Sequence, residues 1–189
     1  METYIIGITG ASGSAYALRI SDALLESGAA LRVVATDTGR RVLEYETGVS
    51  LERWAGERPN AALEDNADLF SPLASGSRQF AGMVVAPCSM STLGRLACGV
   101  TTDLLTRAAD VMLKQRRPLL LVPRETPLTS IHLQNMLTLS QCGATILPAM
   151  PAFYHHPRTA DDLVSFVAGR ALDCLGVENH LYQRWREEP

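Results

Sequence analysis

Residues 119–122 form an uninterrupted apolar run that gives way to Arg124 and Glu125, and this junction constrains the fold more than any other part of the sequence. A short run without polar alternation is typical of a parallel strand that is buried on both faces of its sheet. Thr126 and Pro127 follow as a predicted helix cap and first helical residue. We therefore expect a cation and an anion at the carboxyl end of a core strand, where open α/β sheets bind ligands. The alternative is a solvated turn with a chance ion pair.

Short apolar runs alternate with helical patterns along the chain, which indicates repeated strand–helix–strand units and an α/β fold with a mostly parallel sheet. The predicted strands are residues 4–8, 31–35, 83–86, 119–122 and 144–147. The predicted helices are residues 15–27, 40–46, 93–97, 103–116, 127–141 and 159–175. Residues 56–80 are polar and weakly patterned, so we expect mostly loop there with at most a short helix. One domain is predicted over residues 1–189, with a charged tail from about residue 177.

Composition excludes several classes of protein. The chain is 47% apolar and 20% charged, with a net charge of −3, which is ordinary for a globular protein and indicates neither nucleic acid nor an anionic membrane as a partner. No apolar run approaches the roughly 18 residues of a membrane span, and no signal sequence is evident, so the expected location is the cytoplasm. The four cysteines are widely spaced without a CxxC pair, which suits neither a disulfide framework nor a zinc site.

Two hydroxyl-rich loops follow predicted strands and are candidates for binding a phosphate. Residues 9–14 are small, so their backbone N–H groups can approach an anion at a helix N-terminus. Their spacing is neither GxGxxG nor a Walker loop, and a plain turn remains an alternative. Asp37 keeps a nicotinamide dinucleotide site open, although the glycine spacing disfavours it. Residues 87–92 could hold a flavin or only cap a helix.

Two further features carry charge or metal-ligating groups. His155 and His156 are adjacent in a proline-rich loop, and neighbouring side chains on an extended segment point in opposite directions. No third ligand stands at a suitable spacing, so exposed loop histidines are favoured over a metal site. Lys114 is the only lysine among the 17 lysine and arginine residues, so its position either requires an ammonium group or reflects chance.

Five segments together resemble the flavin prenyltransferases, and the match extends from residue 4 to about residue 185. They are TGASG, PCSMSTL, LLTRAADVMLKQRRPLLLVPRETPL, GATILPAMPAFYHHP and GRALDCLG. The resemblance implies a Rossmann-like α/β/α domain that assembles into a homododecamer. It implies that N5 of reduced FMN attacks dimethylallyl monophosphate, that phosphate leaves without the help of a metal, and that C6 closes a fourth ring. The prenylated FMN would then serve a partner decarboxylase in ubiquinone biosynthesis or aromatic acid decarboxylation.

The same resemblance assigns roles to individual residues. The implied flavin-binding residues are Gly10, Ala11, Ser12, Thr36 (where a serine is usual), Ser89, Met90, Ser91, Thr92 and Arg124. The implied residues around the allyl phosphate are Lys114, Glu125, Tyr154 and Arg170, with Trp185 closing the prenyl site. The implied catalytic residues are Ser12, Glu46, Lys114 and Glu125. Lys114 and Arg170 would supply the positive charge that a leaving phosphate requires, and Glu125 could return a proton to it.

Two other functions remain open at this point. One is a flavin-dependent lyase like the cysteine decarboxylases, whose asparagine-containing loop has no clear counterpart because residues 87–92 contain no asparagine. The other is a non-catalytic FMN carrier, which would not require Lys114, Glu125, Tyr154 and Arg170 together. Because Tyr154 and Arg170 lie in the C-terminal third of the chain, a site built across subunits is also open.

Overall fold

A computed structural model describes residues 1–186 and contains one six-stranded sheet in the order β3-β2-β1-β4-β5-β6, with every pairing parallel. The strands are β1 (Thr3–Ile8), β2 (Ala30–Ala35), β3 (Ala61–Glu64), β4 (Gly82–Cys88), β5 (Leu119–Pro123) and β6 (Thr145–Ile146). The helices are α1 (Ser14–Glu26), α2 (Asp37–Thr47), α3 (Leu51–Gly56), α4 (Met90–Ala97), α5 (Leu104–Lys114), α6 (Ser130–Gln141) and α7 (Ala160–Leu175), with a 3-10 turn at Pro72–Ala74. This confirms the predicted α/β/α fold.

Two apolar cores lie on opposite faces of the sheet. Alternate residues of a strand point to opposite faces, so Ile6 and Ile8 pack toward α1 and α7 while Ile5 packs toward α4 and α5. All seven residues of β4 and all five of β5 are buried, as the continuous apolar runs predict. Within the described part of the chain, no helix is both long and apolar enough to cross a membrane.

The prediction for residues 56–80 was wrong in one respect, because β3 lies within this segment at the edge of the sheet. Its last residue, Glu64, is 8% exposed and forms an ion pair with Arg32 of β2. Ser71 donates a hydrogen bond of 2.6 Å to the same carboxylate. In the sequence, Glu64 cannot be distinguished from an exposed polar residue of a loop. Its partners Arg32 and Ser71 come close to it only when the strands pair.

The segment after β5 also differs from its prediction. The helix begins at Ser130 instead of Pro127, and its cap is Thr129 instead of Thr126. Thr129 Oγ1 accepts a hydrogen bond from the His132 N–H (3.2 Å), and His132 Nδ1 accepts one from the Thr129 N–H (3.3 Å). This reciprocal capping box satisfies two N-terminal donors at once and so determines where the helix starts. Arg124 and Glu125 therefore lie in a loop at the carboxyl end of β5.

Candidate functional site

Thr9 connects the loops that follow β1 and β4. Its hydroxyl donates a hydrogen bond to the Pro87 carbonyl oxygen (2.7 Å) and accepts one from the Ser89 N–H (2.8 Å). The side chain is 1% exposed, so these bonds are shielded from water. The two hydroxyl-rich loops are therefore neighbours at the carboxyl edge of the sheet.

In the loop of residues 9–14, the backbone packs closely against other elements at the glycines. Gly13 has a φ of 115°, in the left-handed region that favours glycine. A Cβ atom added to Gly10 would lie 2.4 Å from Thr38 Cγ2, so the loop passes directly against the start of α2. Ala11 is buried, while Ser12 is exposed at the tip of the loop.

Glu46, at the end of α2, binds the N-terminus of α1. Its Oε2 atom accepts hydrogen bonds from the Gly13 N–H (3.0 Å) and the Ser14 N–H (2.8 Å). Partial burial acts to raise the pKa of Glu46, but the Ser12 hydroxyl and these backbone donors outweigh it, so the pKa is lowered. The carboxylate is therefore held ionised beside Ser12. Because it occupies the first N–H groups of α1, a ligand phosphate would need the other donors of this edge.

Arg124 joins the end of β5 to the first loop. Its Nε donates a hydrogen bond to the Ser12 carbonyl oxygen (3.0 Å), and its backbone N–H donates to the Cys88 carbonyl oxygen (3.4 Å). Glu125 is exposed at the same edge, where it accepts a bond from the Thr126 N–H (3.0 Å). The side chain of Cys88 is fully buried, and burial raises the pKa of its thiol to about 12, so it stays protonated.

The remaining predicted flavin residues lie at the starts of α2 and α4. Thr36 Oγ1 accepts a hydrogen bond from the Gly39 N–H (3.0 Å), and Ser89 Oγ accepts one from the Thr92 N–H (3.3 Å). Both hydroxyls thus cap helices. Among the described residues that of Thr36 keeps a proton to donate, whereas that of Ser89 donates to Thr92 Oγ1 (3.1 Å). Ser91 is exposed, Met90 is half-buried, and Thr92 is buried. A cleft of about 460 Å³ opens beside Thr36.

The hydrogen-bond donors of these residues are of the kinds that FMN requires. Exposed or half-buried hydroxyls of Ser12, Thr36, Ser89 and Ser91 lie with the guanidinium of Arg124 at the carboxyl ends of the strands. Hydroxyl and guanidinium donors suit a phosphate and the carbonyl and nitrogen acceptors of an isoalloxazine ring.

A second cluster collects the predicted substrate residues from the C-terminal third. The Tyr154 ring lies edge-on to those of Trp185 (centroids 5.2 Å apart) and Phe166 (5.9 Å). Phe166 contacts Tyr182 (4.9 Å), whose hydroxyl accepts a hydrogen bond from Arg170 Nη1 (3.3 Å). Tyr154, Arg170 and Trp185 therefore share one surface. No hydrogen bond or ring contact within residues 1–186 joins it to the two hydroxyl-rich loops.

Lys114 does not join either cluster within one protomer. It is exposed at the end of α5, just before β5 begins, whereas Glu125 follows the end of β5. The five residues of β5 lie between these two positions and span roughly 16 Å, at about 3.3 Å per residue. An ammonium at position 114 therefore cannot reach a phosphate held beside Glu125 of the same chain.

The histidine prediction holds for only one residue of the pair. His156 is exposed, but His155 stacks on Phe166 (5.1 Å, 12° between planes) with both ring nitrogens buried. Its neighbours Pro151 and Phe153 give no helical or strand periodicity from which this packing could be predicted. Among the residues that the structure describes, no group of three or more metal-ligating side chains is placed to hold an ion.

Sequence reasoning missed two residues that organise these clusters, Thr9 and Asp173. Asp173 binds Arg170 three positions earlier on α7 (3.0 Å), a spacing at which helical side chains meet, so this pair was open to prediction. Thr9 gives no comparable signal, because its partners lie 78 and 80 residues away in the chain.

Comparisons with known proteins agree along nearly the whole chain. Residues 2–172 match the family described as Flavoprotein. The flavin prenyltransferase UbiX of Methanothermobacter thermautotrophicus is 49% identical over 188 residues, covering 98% of this chain and 96% of that protein. The structure of AnUbiX (PadA1) in complex with FMN and dimethylallyl pyrophosphate has a TM-score of 0.95 at 35% identity, covering 100% of this chain and 99% of the other. A dodecameric FMN-dependent UbiX-like decarboxylase from Escherichia coli O157:H7 has a TM-score of 0.93 at 41% identity, covering 98% and 100%.

Proposed function

This chain belongs to the flavoprotein family and, within it, to the flavin prenyltransferases, and we propose that it joins a dimethylallyl group to N5 and C6 of reduced FMN. The donor is dimethylallyl monophosphate and the product is prenylated FMN. Reduced FMN supplies the nucleophilic ring atoms, and the ester supplies an allylic carbon with phosphate as its leaving group. The observation that carries the proposal is the convergence of Ser12, Glu46 and Arg124 at the edge where Glu125 stands.

The flavin-binding role falls to the loops at the carboxyl edge. The hydroxyls of Ser12, Thr36, Ser89 and Ser91 would bind FMN, and Gly10 and Ala11 let it approach the backbone. Arg124, fixed on the Ser12 carbonyl oxygen, points a guanidinium toward the same ligand. Met90 and Thr92 complete this wall at the start of α4.

Glu46 is unprotonated at neutral pH, because the Ser12 hydroxyl and the N–H groups of Ser14 and Gly13 lower its pKa. The lowered pKa also makes the carboxylate a weak base, so it would hold a proton only transiently. Ser12, between Glu46 and the exposed tip of the loop, can relay a proton to that carboxylate. We assign these two residues to proton transfer at the flavin.

The allyl phosphate would be bound by residues that supply positive charge and hydroxyl donors. Arg170 is exposed and keeps its charge, since the hydrogen bond to Tyr182 raises its pKa further. Tyr154 offers a hydroxyl, and Trp185 beside it offers an aromatic face that can stabilise a developing allyl cation. Glu125 would return a proton to the departing phosphate. With Lys114 these groups would replace the metal used in other phosphate-leaving reactions.

We assign Lys114 to the site of a neighbouring protomer, because it lies near the amino end of β5, whereas Glu125 of the same chain lies at the carboxyl end. A homo-oligomer, and a dodecamer by analogy with the Escherichia coli relative, would bring the two together. The surface of α6 supports association, since Ile131, Leu133 and Leu137 are 69%, 53% and 50% exposed.

A cytoplasmic location and delivery of prenylated FMN to a partner decarboxylase complete the proposal. The negative net charge and the apolar fraction are those of a protein that requires neither membrane nor nucleic acid. The recipient decarboxylase, and with it ubiquinone biosynthesis or aromatic acid breakdown, follows from the family and from no residue of this chain.

The decisive experiment mixes the oligomer with reduced FMN and dimethylallyl monophosphate under anaerobic conditions, then measures the mass of the extracted flavin and the released phosphate. We expect a gain of one prenyl unit per phosphate. Glu125→Gln should stop turnover while FMN still binds, and Glu44→Gln, an exposed change on α2, is the matched control. Unmodified FMN with both the monophosphate and the diphosphate ester would refute the proposed function, and full activity of Glu125→Gln would refute the role of that residue.

A further inference from the structure

Asp173, near the end of α7, binds four side chains at once. Its Oδ2 accepts hydrogen bonds from Tyr182 Oη (2.6 Å) and Arg170 Nη1 (3.0 Å). Its Oδ1 accepts bonds from Asn179 Nδ2 (2.9 Å) and Arg184 Nη2 (2.9 Å). The side chain is only 16% exposed. Burial acts to raise the pKa of Asp173, but these donors, Arg184 first, outweigh it and lower the pKa, so the carboxylate stays ionised.

Three of these four donors belong to the segment 177–186, which lies directly against α7. A Cβ atom added to Gly169 would stand 2.5 Å from Tyr182 Cδ1, so the tail contacts the bare backbone of the helix. Asn179 Nδ2 also donates to the Gly169 carbonyl oxygen (3.3 Å). Asp173 therefore holds the tail where its Trp185 meets Tyr154.

Arg170 is left with donors to spare. Only its Nη1 is engaged among the described residues, by Asp173 and by the Tyr182 hydroxyl. Nε and Nη2 make no hydrogen bond within residues 1–186, and the side chain is 45% exposed. A guanidinium fixed through one nitrogen presents the other two in a defined direction, which suits binding of a phosphate by paired hydrogen bonds.

Building on the proposed function, we propose that Asp173 is a positioning residue for the allyl phosphate. It fixes the guanidinium of Arg170 and, through Tyr182 and Arg184, keeps Trp185 beside Tyr154. An unrestrained arginine on an exposed helix face loses rotamer freedom when it binds a ligand, and this loss weakens binding. Because Asp173 fixes the Arg170 side chain before the ester binds, less rotamer entropy is lost on binding. The free energy of the hydrogen bonds with phosphate then contributes more fully to the affinity for the ester.

The test compares Asp173→Asn with wild-type oligomer in steady-state transfer assays at saturating reduced FMN. We expect the KM for dimethylallyl monophosphate to rise about tenfold, equivalent to about 1.4 kcal/mol, a larger effect than any fall in kcat from the loosened Trp185, with the Kd for FMN unchanged. Asp161→Asn is the matched control, because it removes the same charge from an exposed position of α7 that makes no ion pair within the described residues. Acrylamide quenching reports mainly Trp185, because that residue is 65% exposed whereas the other tryptophan, Trp54, is 3% exposed. This quenching should increase further in Asp173→Asn only, since the tail is no longer held on α7.

The outcomes separate this role from the function on which it rests. Failure of the wild-type protein to prenylate FMN would overturn the proposed function. Transfer by the wild type, with Asp173→Asn and Asp161→Asn alike in KM and quenching, would overturn the positioning role alone. If Asp173→Asn does not assemble, Tyr182→Phe removes the three hydrogen bonds of the Tyr182 hydroxyl, with Asp173, Arg170 and Arg184, while keeping the ring on Phe166. An unchanged KM in that variant would count against the proposal that this network positions Arg170.

Discussion

Thr9→Val should weaken both the fold and the binding of FMN. Valine keeps the shape of threonine but removes the hydroxyl, so the Ser89 N–H and the Pro87 carbonyl oxygen lose their partner at 2.8 and 2.7 Å. Thr9 is 1% exposed, so water cannot readily replace the hydroxyl. An unsatisfied buried polar group costs about 1–3 kcal/mol, and two such groups that relax in part should lower the free energy of unfolding by about 2–4 kcal/mol.

The functional consequence follows from the position of Thr9 between the two hydroxyl-rich loops that we propose bind FMN. Without the hydroxyl bridge, residues 10–12 and 89–92 are no longer held in register, and part of the FMN binding energy is spent in ordering them. We expect the Kd for FMN to rise by at least tenfold, measured by quenching of flavin fluorescence. Urea unfolding of the apo-protein, at one fixed protomer concentration, gives the stability term.

Two controls separate the hydroxyl from the packing of the side chain. Thr9→Ser keeps the hydroxyl and loses a methyl group, so it should cost only about 1 kcal/mol and leave the Kd for FMN nearly unchanged. Thr138→Val removes an exposed hydroxyl that donates only to the Gln134 carbonyl oxygen of its own helix (3.0 Å), and should have little effect. If Thr9→Val were as stable as Thr9→Ser and bound FMN equally well, the bridging role would be refuted.

Two other predictions follow from the site. Because the pKa of Glu46 is lowered in the folded state, its ionised form stabilises the protein above its unfolded pKa of about 4.3, and this contribution is lost as the pH falls through the lower folded value. The difference in apparent Tm between wild type and Glu46→Gln should therefore shrink below about pH 4, and a difference independent of pH would contradict the ion-binding role. Mixed oligomers of Lys114→Ala and Glu125→Gln should regain part of the activity that each variant lacks, because some sites then combine two intact protomers. No recovery after verified subunit mixing would place both residues in one protomer's site.

Several features of this protein could be predicted from local sequence. The strands β1, β4 and β5 are short apolar runs that are almost wholly buried, and such runs have few other stable placements. β2 departs from this pattern at Arg32, which is half-buried. Their connections by helices impose parallel pairing, and parallel pairing brings the loops at residues 9–14, 87–92 and 124–125 to one edge. The resemblance to the family then predicts the chemistry at that end of the sheet.

Other features depend on pairs of residues that the local pattern does not connect. Glu46 binds the start of α1 from 32 residues away, Thr9 joins loops about 80 residues apart, and Glu64 is buried only because Arg32 and Ser71 meet it. In an unfolded chain each of these polar groups could pair with many others. The packing of the folded elements determines which partner it meets.

The sequence by itself thus determined the order of five of the six strands and six of the seven helices in residues 1–186, the end of the sheet at which the site is predicted, and the family to which the chain belongs. Only the tertiary structure decided that Lys114 stands at the far edge from Glu125, and that the C-terminal segment packs on α7 through Asp173. The physical reason is that short-range periodicity specifies which residues are buried, whereas distances between separate polar groups follow from how whole elements pack.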